Sequence, residues 1–254
     1  MASRTLRDLW TRRGKTFGKR SNLLHRAEVI RGIMNEALLF LEPVKGVVLD
    51  VGCGDGIPTT YLIQNHQVIG VDFASTMLLR AKASLRSIDL VTASIDHLPF
   101  PNSSIPAVTC FFVLSDYHNP SELATELCRV LQNHGRIVLA DYSSHDDFNN
   151  ILDELQVKVL GRGRGMFRPS PEAMAVMAED SGLKVDTVKE LTYPLTISLE
   201  TFVNQLYFSS VGPEYRAKQL GNDEWRKLLG ERLRGSEIRL TRRFALVLGR
   251  RVYS

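Results

Sequence analysis

The sequence predicts an α/β protein built on a mostly parallel sheet with helices on both faces. Short apolar runs alternate with helical stretches across residues 47–140. The links between them are short and carry Gly, Pro and Asn, and one five-residue apolar run leads straight into a cluster of glycines. Strands that each return through a helix pair in parallel and are covered on both sides. Right-handed crossovers then leave few topologies.

Taken in order, Val47–Val51 is the first strand, followed by glycines and a helix over residues 57–65. Residues 67–71 form the next strand, 75–85 a helix and 89–93 a weak strand. Residues 107–114 are a strongly apolar strand, and after Asn119-Pro120 a helix covers 121–131, stopped by Gly135. Residues 136–140 are another buried strand. The second half reads differently. Asp147–Leu160 is helical and Gly161-Arg-Gly-Arg-Gly165 breaks it; 171–181 is a helix stopped by Gly182, and 184–191 a strand. A helical insertion spans 198–234, interrupted at Gly212-Pro213 and Gly221-Asn222, before a last strand over 243–248.

With 254 residues, 44% apolar and 24% charged, the chain can bury a full core without staples. Its three cysteines, Cys53, Cys110 and Cys128, have neither CxxC nor Cys/His ligand spacing. A disulfide framework and a metal site are therefore not expected, and a reducing cytoplasm is the expected compartment. The basic start, MASRTLRDLWTRRGKTFGKR, lacks the apolar core of a secretory signal and reads as a helix, with a transit peptide as the alternative. No run approaches the roughly 20 apolar residues of a membrane span. The net charge of +4 gathers at the two ends and around residues 161–168, a solvated face in the plain reading.

The chemistry concentrates in Val47-Val-Leu-Asp-Val-Gly-Cys-Gly-Asp-Gly56. Glycines after a strand let the backbone turn sharply and approach a ligand at the start of a helix. Two acids sharpen the signal. Asp50 lies in the strand end, and Asp72 closes the next strand about 20 residues on, where a carboxylate meets ribose hydroxyls. A nicotinamide site needs G-x-G-x-x-G to cradle a pyrophosphate, whereas the spacing here is G-x-G-x-G with Asp50 just ahead of it. Such a negative, carbonyl-rich turn suits a cationic amino acid end, as in S-adenosylmethionine.

Leu49-Asp-Val-Gly-Cys-Gly-Asp-Gly56, Gly70-Val-Asp-Phe-Ala-Ser-Thr-Met-Leu78 and Asp96-His-Leu-Pro-Phe-Pro101 resemble the first three motifs of class I S-adenosylmethionine-dependent methyltransferases. Residues 110–114 and the run Arg129-Val-Leu-Gln-Asn-His-Gly-Arg-Ile-Val-Leu-Ala-Asp141 resemble the fourth and fifth. The similarity is to the small-molecule branch that includes quinone- and biotin-pathway enzymes, and it covers residues 44–145. It implies a Rossmann-like, seven-stranded, mostly parallel sheet with a helical lid. The implied units are N-terminal helices (1–42), a cofactor-binding core (43–197 and 235–254) and a helical cap (198–234).

The resemblance also implies roles. Asp50 and the backbone of Gly52, Cys53 and Gly54 hold the methionine end, and Asp72 the ribose. Phe73 and Met77 line the adenine pocket, Ile95 flanks adenine, and Phe111 borders the methionine portion. Ser94 stands where the family often has an acid, and Asn133-His-Gly135 replaces the usual Pro-Gly.

Acceptors in such sheets bind beyond the carboxyl ends of the strands. That points to residues 115–119 and 141–145, with Asp116, Tyr117, His118 and Tyr142 as catalytic candidates and His145 as a further possible base. Phe112, Phe148 and Phe167, with Phe202, Leu206, Tyr207 and Phe208 in the insertion, suit an acceptor with apolar bulk. Arg162, Arg164 and Arg168 suit an anionic group on it. The expected partner is a small molecule, free or tethered to an acyl carrier protein as in malonyl-carrier-protein methyltransferases, whose layout after residue 165 is loosely similar. Transfer to RNA or protein is the alternative; no nucleic-acid recognition domain or Asn/Asp-Pro-Pro-Tyr motif is present, and Phe111-Phe-Val-Leu stands in its place.

Overall fold

The computed structural model describes residues 10–11, 27–85, 88–117, 119–163, 167–207 and 212–252. The candidates His118, Arg164 and Phe208 lie outside the described residues. Helix α1 (Ala27–Leu41) precedes β1 (Val47–Val51), α2 (Thr59–Leu62), β2 (Gln67–Asp72), α3 (Ser75–Ser84) and β3 (Asp89–Thr92). Strand β4 (Ile105–Phe111) leads through a 3-10 turn to α4 (Pro120–Val130) and β5 (Leu131–Tyr142). Helices α5 (Asp147–Leu160) and α6 (Pro171–Asp180) follow, then β6 (Leu183–Ser198), α7 (Leu199–Tyr207), α8 (Gly212–Ala217) and α9 (Asn222–Leu229). The chain closes with the short β7 (Leu233–Arg234) and β8 (Glu237–Arg251).

The main path of the sheet runs β3-β2-β1-β4-β5-β8-β6, with β7 paired to β8 off the path. Strands β1 to β5 are parallel, and β8 runs antiparallel to both β5 and β6. This is the seven-stranded, mostly parallel, Rossmann-like α/β sheet expected from the resemblance. Order reverses between β1 and β4, so the crevice beyond their carboxyl ends is where a ligand is held in such sheets.

Both faces are covered. Val29, Ile30, Ile33, Met34, Ala37 and Leu41 recur at helical spacing and press α1 onto Val48, Val138, Phe244 and Leu246. On the other face Leu123 and Leu127 of α4 and Met174 and Ala178 of α6 cover Leu49, Val108, Ile137 and Val247. Each large apolar side chain so buried contributes about 1.5–3 kcal/mol. A third cluster lies between α5, α7, α9 and the far half of the β6/β8 hairpin, around Phe202, Tyr215 and Trp225.

Three sequence expectations need correction. Gly135 does not stop α4: the helix ends at Val130, and Leu131 already pairs with Ile105 in β5. The register shifts before the next pair, Ala107 with Arg136, which accommodates His134 at φ 61°. Strand β4 stops at Phe111, because Phe112 takes φ 60° and turns the chain into the 3-10 turn. Finally, β6 and β8 are 16 and 15 residues long, well beyond the expected 184–191 and 243–248. Ile238, Leu240, Arg242 and Phe244 all face inward, and the arginine in that series hid the two-residue period.

The helix-to-strand junction at Val130–Leu131 depends on Arg251. Its Nη1 lies within hydrogen-bond reach of the carbonyls of Cys128, Arg129 and Leu131, at 3.1, 3.1 and 2.6 Å, and of Ser103 Oγ at 2.9 Å. Arg251→Met removes a charged donor from these carbonyls and should lower the unfolding free energy by about 2 kcal/mol. Urea titration followed by circular dichroism reads this; an unmoved midpoint would count against the junction's dependence on Arg251.

Candidate cofactor and acceptor site

At the end of β1 the backbone bends through Gly52, Gly54 and Gly56, at φ 73°, 56° and 83°. A side chain at Gly52 would strike Val113 at 2.3 Å, so only glycine permits both this turn and this approach. The bend is tied to the neighbouring strand. The amides of Gly52 and Cys53 both donate to the Val71 carbonyl, at 2.7 and 3.1 Å. The Gly54 amide donates to Asp72 Oδ2 at 3.0 Å, while Asp72 Oδ1 accepts from the Ala74 amide at 2.8 Å. Burial pushes the Asp72 carboxyl up, and the amides of Ala74, Gly54 and Phe73 oppose the shift.

Asp50 is buried beneath the bend and ties three elements together. Thr59 of α2 donates to one oxygen at 2.6 Å, and Thr109 of β4 to the other at 2.9 Å. Burial raises its pKa from 3.8 to about 6, against the two threonine hydrogen bonds. Cys53 is buried against Gly70, and burial pushes its thiol well up, so it packs and does not attack. Met77 is buried with its Sδ-methyl next to Gly54, and Phe73 is half-buried beside Asp72.

Around this bend the structure gathers most of the cofactor candidates. Ile95 is buried with Leu49, Val51, Val71, Val113 and Tyr117. Ser94 donates to Asp96, and Tyr117 faces this pair: burial pushes its phenol far up, with Asp96 adding and Ser94 opposing. Tyr117 thus lies with Ser94 and Asp72, apart from Tyr142. Phe111 is buried on the opposite face, with Val48 and Ala140.

Beyond β4 and β5 lies a second, aromatic region. The turn at Phe112 sets its ring 5.4 Å from Tyr142 and 5.9 Å from Phe244. Tyr193 of β6 adds a further ring, 5.9 Å from Phe244, and its hydroxyl fills the space a side chain at Gly32 of α1 would need. Burial also pushes the Tyr142 phenol far up, so Tyr117 and Tyr142 are suited to donate hydrogen bonds and not to remove protons. Asp116 is half-buried in the 3-10 turn.

Three residues here receive no individual role from the sequence, although Asp141 lies in the segment 141–145 that it singles out. Asp141, fully buried, accepts from the amides of Ser115 at 2.9 Å and Tyr142 at 2.7 Å, and burial raises its pKa to about 7. Its position mirrors that of Asp50 at a strand end, the one signal that could have marked it. Tyr193 and Arg242 lie in hairpin extensions that were not read as strand. Of the arginines expected to hold an anion, Arg162 is exposed and donates to both oxygens of Glu214 in α8, at 2.6 and 2.7 Å, which corrects its assignment to the pocket. Arg168 pairs with Asp153 of α5. His145 Nδ1 meets Glu190 at 2.9 Å near the surface.

The family model for a methyltransferase domain matches residues 49–139, which contain the whole glycine bend, Asp72, Ser94 and Phe111. Residues 49–139 thus match a methyltransferase domain, and their motifs resemble those of class I S-adenosylmethionine-dependent enzymes. Demethylmenaquinone methyltransferase of Renibacterium salmoninarum is 29% identical over 135 residues, 52% of this chain and 57% of that enzyme. The Thermobifida fusca enzyme of the same name is 30% identical, over 52% of this chain and 60% of its own length. The chain thus spans between half and three fifths of these relatives. The YcgJ protein of Bacillus subtilis shares the fold at TM-score 0.65 and 18% identity, over 88% of this chain and 100% of its own. Among the described residues no helix of this methyltransferase domain or its additions is long and apolar enough to cross a membrane.

Asp50 and Asp141 make a pH prediction, and Asp72, also raised by burial, adds in the same direction. The folded protein holds protons on Asp50 and Asp141 more tightly than the unfolded chain, so their contribution to stability falls as pH rises from about 4 to about 7. His66, lowered by burial, works in the opposite direction over the same range. The comparison with Asp50→Asn isolates one group: the unfolding free energy of the wild type relative to the variant should decline between pH 4.5 and 7 and then level off. A difference that does not vary with pH would show that Asp50 titrates normally.

Proposed function

We propose that the chain transfers a methyl group from S-adenosylmethionine to a small molecule with apolar bulk and an anionic group. The observation that carries this reading is the glycine bend clamped to Asp72, with an aromatic cluster beyond the neighbouring β4 and β5. The residues fit the cofactor. Gly54 puts no side chain on the bend, and the two Asp72 oxygens, with about four acceptor sites, keep capacity beyond the backbone amides they hold. In this reading Asp50 and the backbone of Gly52, Cys53 and Gly54 face the methionine end, and Asp72 the ribose. Phe73, Met77, Ser94 and Ile95 line the adenine, and Phe111 the methionine portion.

What the bound cofactor supplies is a methyl group on a sulfonium, whose departure needs no proton. The chain's own part is then chiefly alignment. Phe112, Tyr142 and Tyr193 exclude water and orient the acceptor, and Tyr142 and Tyr117 donate hydrogen bonds. A base, from Asp116 or His118, is required only for a nucleophile that arrives protonated. In this reading 1–42 form an N-terminal unit on the substrate side and 198–234 a helical cap, added to the core formed by 43–197 and 235–254; of the first unit, α1 meets Tyr193 at Gly32. Thr76 of α3 donates to the Thr11 carbonyl at 3.1 Å, which brings residue 11 against α3.

Calorimetry with S-adenosylmethionine and S-adenosylhomocysteine should give dissociation constants on the order of micromolar, a usual range for enzyme ligands. Asp72→Ala and Asp72→Asn should each weaken binding at least about ten-fold, the scale of a lost charge-assisted hydrogen bond. No binding to wild type would remove the proposal, and equal binding by both folded variants would remove the ribose assignment.

A further inference from the structure

Arg242 is a guanidinium placed where an apolar residue would be the ordinary choice. It is only 2% exposed, on the inward face of β8 between Leu240 and Phe244. Its Nε donates to Asp146 Oδ1 at 2.8 Å. Asp146 is itself shared, accepting also from the amides of Arg243 at 2.8 Å and Asn149 at 3.0 Å. The guanidinium carbon lies 5.0, 5.3 and 5.4 Å from the ring centres of Phe148, Phe244 and Tyr142. Ring faces attract a cation, but they accept no full hydrogen bond. Nη2 is buried and has no hydrogen-bond partner.

A buried donor without an acceptor is rare, and on a charged group it is costly. Nearby Arg168 repeats the arrangement: it pairs with Asp153, its Nη1 is buried and unpartnered, and Asp146 acts on it electrostatically. Two guanidinium groups therefore keep a donor without an acceptor around one shared carboxylate. Arg242 belongs to the aromatic region beyond β5, where Phe112, Tyr142 and Tyr193 remain partly exposed while Arg242 is buried against Tyr142 and opposite Tyr193 in the hairpin.

We propose that Arg242 recognises a carboxylate on the methyl acceptor, with Phe112, Tyr142 and Phe244 packing on the acceptor's apolar body. This rests on the methyltransferase reading above and names its substrate class. A planar carboxylate accepts from a guanidinium edge, and Asp146 holds that edge in place through Nε. Of the three rings around the guanidinium, Phe148 and Phe244 are buried and Tyr142 is half-buried, so binding in this way requires the Tyr142 ring to move aside for a carboxylate to reach Nη2. The entering carboxylate takes the place of the missing acceptor, and its apolar body stays on the rings.

The test titrates benzoate, cinnamate and octanoate, each beside its neutral primary amide, into the full chain with and without S-adenosylhomocysteine. At least one carboxylate should bind ten-fold or more tightly than its amide. Arg242→Gln should abolish that preference while leaving affinity for S-adenosylhomocysteine unchanged. Arg242→Lys, which keeps the charge, should retain part of it, and serves as the deciding variant if Arg242→Gln does not fold. Equal binding of carboxylate and amide, no binding by any of the three acids, or an undiminished preference in the variants would overturn the inference. Failure to bind S-adenosylhomocysteine would instead overturn the methyltransferase reading, and the carboxylate preference is still read without it.

Discussion

The Asp72 carboxylate holds two backbone amides that belong to different loops, Gly54 in the bend after β1 and Ala74 at the start of α3. Charge-assisted bonds of this kind are stronger than neutral ones, and they fix position as well as adding stability. Because β1 and β2 are already paired in register from Val47 with Gln67 to Val51 with Val71, the clasp fixes the bend relative to the sheet. Val113 packs against Gly52 from the β4 side, so the bend is held from both neighbours of β1. The proposed cofactor site depends on this one arrangement.

Two further carboxylates extend the same device along the sheet. Asp50 joins β1 to α2 and β4, and Asp141 joins β5 to the 3-10 turn after β4. All three acids stand at or near the carboxyl ends of strands, where loops leave the sheet and must be ordered without help from ladder hydrogen bonds. Burial makes each costly to ionise, and the donors around it reduce that cost. The strand ends are therefore held by the chain's own donors.

Local pattern made the first half of the fold legible. Val47–Val51 is a short apolar run bounded by glycines, and Asp147–Leu160 begins with an aspartate cap at Asp146 and ends at Gly161 with φ 71°. Both were read with their observed ends. The bend, Asp50 and Asp72 were legible because their chemistry is carried by spacing within one stretch of chain. The hairpin was not, because its register is set by pairing across about 50 residues, from Ser198 with Glu237 to Leu183 with Arg251. Arg242 and Tyr193 enter the aromatic region beyond β5 only through that register, and no local signal marks them. Asp141 was passed over because a strand-end acid is informative only once its burial is known.

The most direct measurement is a crystal structure of the chain with S-adenosylhomocysteine. The account predicts a ribose hydroxyl within about 3 Å of an Asp72 carboxylate oxygen, with the amino acid end against the bend at Gly52–Gly54. A ligand bound elsewhere, or a sugar turned away from Asp72, would contradict it.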